Sequence, residues 1–74
     1  MTASVSGVIC MEYVIYSGKQ KNVKSYRYTG RASSYYDATL IARSLNQKGL
    51  NVFILTYYPN GKTSGEYKYA PLYG

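Results

Sequence analysis

The chain has no histidine, no tryptophan and a single cysteine, and only Glu12, Asp37 and Glu66 carry negative charge. Each scarcity removes a class of chemistry. Without histidine the commonest general base is missing. One cysteine with no histidine can build neither a zinc site nor an internal disulfide, so a reducing compartment is the simpler expectation. Cys10 reads as a small apolar strand residue. The three carboxylates fall in separate segments with no acid/base pairing, and Asp37 is better explained as a helix cap. Gly18, Gly30, Gly49, Gly61 and Gly65 stand at turns and element ends without a phosphate-loop pattern. A tyrosine nucleophile would need basic activators in a cleft that 74 residues scarcely provide. Long apolar runs are also missing: MTASVSGVICMEYVIYSG lacks a basic leader and is broken by Glu12 and aromatics, which predicts neither a signal peptide nor a membrane span. The expectation is a protein that is not an enzyme, with no metal and no cofactor.

Positive charge and tyrosine are what the chain has in excess. Nine Lys and Arg give a net charge of +6. Lys19, Lys21, Lys24, Arg27 and Arg31 fall in one window with no acid between Glu12 and Asp37, so a basic lobe is expected there, attractive to polyanions or to an acidic protein surface. Eleven residues are tyrosine against one phenylalanine, and many are adjacent or alternate: Tyr26 and Tyr28, Tyr35 and Tyr36, Tyr57 and Tyr58, Tyr67 and Tyr69. A tyrosine ring packs while its hydroxyl stays wet, which suits half-buried strands and interfaces alike.

One stretch has a helical period. Within SSYYDATLIARSLNQKG, Ala38, Ile41, Ala42 and Leu45 fall at i, i+3, i+4 and i+7 and form an apolar stripe, with Thr39, Arg43 and Gln47 turned away. Ser34 and Asp37 have capping-box spacing, and Gly49 follows Lys48 where a left-handed C-cap is easily made. Around this helix the chain reads as strand and turn. A first strand spans about Val8 to Tyr16, apolar on both sides and therefore central. A polar turn follows over Ser17 to Asn22, then a second strand over about Val23 to Ala32. There Lys24, Tyr26 and Tyr28 alternate with Ser25, Arg27, Thr29 and Arg31. Leu50 to Tyr58 is a second central strand; PNGK is a turn; Ser64 to Ala70 returns with Tyr67 and Tyr69 on one face and Glu66 and Lys68 on the other. The fold class is α+β: a single ββαββ domain over 1–74, with a mostly antiparallel four-stranded sheet, one helix on one face, and tails at 1–6 and 71–74. The other face is left uncovered.

Three modes of contact fit this surface. The basic lobe could hold DNA or RNA phosphates while tyrosines stack on bases. The same surface could dock on a protein or nucleoprotein, since Tyr and Arg dominate binding hot spots. The open face could also pair with itself in a homodimer. The candidate binding residues are Lys19, Lys21, Lys24, Arg27, Arg31, Tyr26 and Tyr28. The plain alternatives are that edge-strand cations only prevent aggregation, and that Tyr26 and Tyr28 pack beneath the helix, on the face opposite Arg27.

The run YVIYSGKQKNVKSYRYTGRASSYYDATLIARSL resembles the arm-type DNA-binding domain of phage and transposon integrases at Tyr13, Tyr16, Gly18, Lys19, Lys24, Tyr26, Ala38, Ala42 and Leu45. It departs from that pattern in carrying a second hairpin where integrases have a linker. The whole ββαββ layout, small size and basic balance are similar to small phage-encoded anti-CRISPR inhibitors, some of which are single sheets with one helix that bind an effector complex and block its DNA site. That likeness is one of layout and transfers no functional residue. Both resemblances imply phage or mobile-element biology in a bacterial cytoplasm. The function expected is inhibition of a host nucleoprotein complex by surface occlusion, with direct nucleic-acid binding and homodimerisation as the alternatives.

Overall fold

A computed structural model describes residues 11–20 and 22–71. The elements run β1 (Glu12–Gly18), a short 3-10 turn (Val23–Ser25), β2 (Arg27–Ala32), α1 (Tyr35–Gln47), β3 (Asn51–Tyr57) and β4 (Thr63–Lys68). The strands form one sheet in the order β2-β1-β3-β4, and every neighbouring pair is antiparallel. This is the expected α+β arrangement. The predicted Val8–Cys10 portion of the first strand, Lys21, and the tail beyond Pro71 lie outside the described residues.

The helix forms where its stripe predicts, and both ends are capped. Ser34 is extended, and its Oγ accepts the Asp37 N–H at 3.1 Å, which leaves the Asp37 carboxylate in the first turn, near the positive end of the dipole. At the other end Leu50 N–H donates to the Leu45 carbonyl and Gly49 N–H to that of Asn46, with Gly49 at φ 86°. This is a Schellman motif, and glycine alone adopts that backbone without strain.

Ala38, Ala42 and Leu45 are buried against Tyr13, Ile15, Val52 and Ile54, with Ile41 and Leu50 packed at the margin. Two alanines at the contact let the helix lie close to the sheet. Ile15, Val52 and Ile54 are fully buried, each contributing roughly 1.5–3 kcal/mol by leaving water. In the hairpin between β3 and β4, Gly61 N–H donates to the Tyr58 carbonyl and Tyr58 N–H to that of Lys62. Gly61 sits at φ 89°, so Pro59, Asn60 and Gly61 make a three-residue loop.

The second strand departs from the simple alternation in two ways. It begins at Arg27 rather than Val23, because Asn22 captures the preceding residues: its Oδ1 accepts the Lys24 N–H at 3.1 Å and its carbonyl accepts Ser25 N–H and Oγ. An Asn side chain that binds backbone two residues on competes directly with a strand ladder. The strand then slips register. Ile15 pairs with Gly30 but Tyr16 with Tyr28, so Thr29 is an extra residue, a β-bulge. Its hydroxyl donates to the Arg27 carbonyl at 3.2 Å and lies 2.5 Å from Ser17 Oγ. Arg31, paired with Val14, therefore shares a face with Tyr28, paired with Tyr16. The expectation that Arg27 and Arg31 share a face is corrected by this one residue.

Replacing Ser34 by Ala should lower the unfolding free energy by about 1 kcal/mol in a denaturant titration, through the lost cap, without changing the slope of the transition.

Candidate binding face

The face of the sheet away from α1 is covered by aromatic side chains. Tyr28 of β2 meets Tyr16 of β1 edge-on, with ring centroids 6.2 Å apart; Tyr16 lies 6.4 Å from Phe53 of β3, and Phe53 lies 4.8 Å from Tyr67 of β4. Tyr69, just beyond β4, stacks on Tyr67 at 5.6 Å with the planes 13° apart. The row thus crosses all four strands. Two glycines make room for it: a Cβ on Gly65 would run into the Phe53 ring, and one on Gly18 would come within 2.9 Å of the Tyr26 ring. Rings lying over strand glycines restore the packing those residues cannot supply themselves.

Tyr26 closes the row at the end where β1 turns into β2. Burial, and then the neighbouring hydroxyls of Tyr69 and Tyr67, raise its pKa. Its own hydroxyl is buried with no hydrogen-bond partner among the described residues. Neither Tyr26 nor Tyr28 packs beneath the helix. Tyr28, Tyr67 and Tyr69 remain 59%, 43% and 48% exposed, and these are the rings with surface to offer.

The predicted cations are divided. Lys19, Lys24 and Arg27 are exposed at the β1–β2 hairpin end, where Lys48 also follows the helix, and none of them makes an ion pair among the described residues. Lys21 lies outside those residues. Arg31 stands at the opposite end of the open face and is bound to Glu12, so it is neutralised and does not belong to the lobe. Arg27, paired with Ser17, projects to the helix side, away from Tyr28. The acids are each engaged: Glu12 with Arg31, Asp37 in the first helical turn, and Glu66 with Lys68 at 2.9 Å. Glu66 also accepts the Tyr35 hydroxyl at 2.8 Å. The Lys68 and then the Tyr35 hydrogen bonds hold its carboxyl below the ordinary range. Net positive charge therefore collects at the hairpin end.

Tyr16, Phe53, Tyr67 and Tyr69 are absent from the candidates chosen by sequence. The alternation of Tyr67 with Glu66 and Lys68 signals a shared face, but only strand order shows that Tyr16 and Phe53 join it. Asn51, buried, binds the sheet ends together: its Nδ2 donates to the Lys19 carbonyl at 3.3 Å and its Oδ1 accepts Ala70 N–H at 2.9 Å. Among the described residues no three metal-ligating side chains cluster, and no helix is long and apolar enough to cross a membrane. Comparison with protein-family models, curated proteins and solved structures finds no match to this chain.

Tyr26→Phe should leave stability unchanged or raise it by about 1 kcal/mol, since it removes a buried hydroxyl with no partner. A raised tyrosine pKa stabilises the fold below the ordinary tyrosine value, and that contribution is lost as pH climbs through the raised one. The variant should therefore lose less stability than the parent in alkaline denaturation curves. Gly65→Ala should cost about 1–3 kcal/mol by overpacking against Phe53, whereas Gly30→Ala, with nothing within 4 Å of the added Cβ, should fall within about 0.5 kcal/mol of the parent.

Proposed function

We propose that this chain is a non-enzymatic binding protein that takes an extended, unpaired nucleic-acid strand across the open face of its sheet. The observation that carries the reading is the ring row from Tyr28 to Tyr69, with its most exposed members on the two edge strands. Bases of any sequence stack on such rings because each has a π face, and phenols with outward hydroxyls tolerate water when the strand is absent. Phosphates would be met by Lys19 and Lys24 at the hairpin end, and the net charge of +6 draws the polyanion in. Duplex hides its base faces and offers this surface only its backbone.

One observation favours a second reading. Arg31, the cation on the face itself, is spent on Glu12, which leaves the face phenolic rather than basic. Tyrosine-rich faces of that kind also serve as protein hot spots. In this reading the chain occludes a nucleoprotein target, the mode implied by its resemblance to small phage-encoded inhibitors.

Fluorescence anisotropy with a labelled single strand of about 12 nucleotides, against duplex of the same length, separates the two. Tighter binding of the single strand that weakens steeply with salt is expected. Tyr28→Ala and Tyr67→Ala should each cost about 1–3 kcal/mol, and Lys24→Ala should reduce the salt slope by about 1. No binding of either form at about 100 µM protein in low salt sinks the first reading. Recovery of one defined nucleoprotein complex on the tagged chain, lost in Tyr67→Ala, would then support the second.

A further inference from the structure

The two edges of the sheet are built differently. β2 is broken by the Thr29 bulge and carries Arg27 and Arg31, both of which discourage another strand from adding there. β4 has no bulge along its length, and its two charges, Glu66 and Lys68, are of opposite sign. Its register against β3 runs without a shift from Tyr57↔Thr63 to Val52↔Lys68, and among the described residues no strand lies on its other side. The helix packs on β1, β3 and β2, so β4 lies at the margin of its footprint. A groove of about 390 Å³, walled by Arg43, Asn46, Lys68 and Tyr69, separates the two.

The sequence of β4 specifies what would fit that edge. Glu66 and Lys68 flank Tyr67 and point to the helix side. If a second copy of β4 ran antiparallel about a twofold axis at Tyr67, Glu66 of each copy would stand directly opposite Lys68 of the other. Centring the axis on Glu66 or on Lys68 instead would oppose like charges, which directly paired strand positions disfavour. We propose that two copies of this chain pair through β4 in the Tyr67-centred register, joining two four-stranded sheets into one of eight and making their aromatic rows continuous. The contact is isologous, as a twofold axis requires.

Light scattering on the protein alone, without nucleic acid, tests this independently of the ligand proposed above. The parent is expected to scatter at twice 8.3 kDa as concentration rises. Glu66→Lys and Lys68→Glu each place like charges opposite one another twice and should raise the dimer dissociation constant at least about tenfold. The double variant E66K/K68E restores the pairing with its signs reversed and should dimerise again. A parent that stays monomeric at every concentration overturns the proposal, as does a double variant no tighter than the singles. Should the single variants lose their circular dichroism, hydrogen exchange on the parent decides: β4 amides must gain protection with concentration, and unchanged exchange overturns the pairing.

Discussion

β1 and β3 are apolar on both sides, and one helix of 13 residues can shield only one of them. Everything else in the structure follows from that mismatch. On the shielded side Tyr13, Ile15, Val52 and Ile54 meet Ala38, Ala42 and Leu45 and form the core. On the other side no second layer is formed by the described residues, and Tyr16, Phe53 and their neighbours cover the backbone with their own rings. Tyrosine suits the task because packing one edge of the ring leaves its hydroxyl hydrated, whereas leucine or isoleucine in the same places would expose a purely greasy patch.

The glycines and the bulge belong to the same solution. Gly18 and Gly65 give up side chains so that Tyr26 and Phe53 can lie flat across neighbouring strands. The extra residue at Thr29 rotates the outer half of β2, bringing Arg31 onto the open face where Glu12 can hold it. That exchange changes the electrostatics. With Glu12 and Glu66 each bound to a cation and Asp37 placed in the first turn of the helix, the remaining charge is unevenly distributed, concentrated where β1 turns into β2.

Exposed pairs such as Arg31 with Glu12 contribute little to stability on their own. Their effect is to set which charges remain available. The Tyr35 hydroxyl, donated to Glu66, plays a second part by tying the start of the helix to β4, at the margin of its packing surface. The sheet margin is thereby held in place without being buried.

Local chemistry was legible in the sequence. The apolar stripe at Ala38, Ile41, Ala42 and Leu45, the Ser34 cap, Gly49 after the helix and Pro59-Asn60-Gly61 between two apolar runs each act within a few residues, so spacing alone determines them and with them the ββαββ order. Strand partners, by contrast, are chosen by contacts far apart in the chain. That Tyr16 lies beside Phe53 and Tyr28, and that Arg31 is removed from the basic cluster by a bulge, depend on register, and one inserted residue reverses every side chain beyond it. The sequence by itself therefore determined the elements and the excess of phenol and positive charge; only the tertiary structure decided which of those groups share a surface, because a strand's face is set by its neighbour.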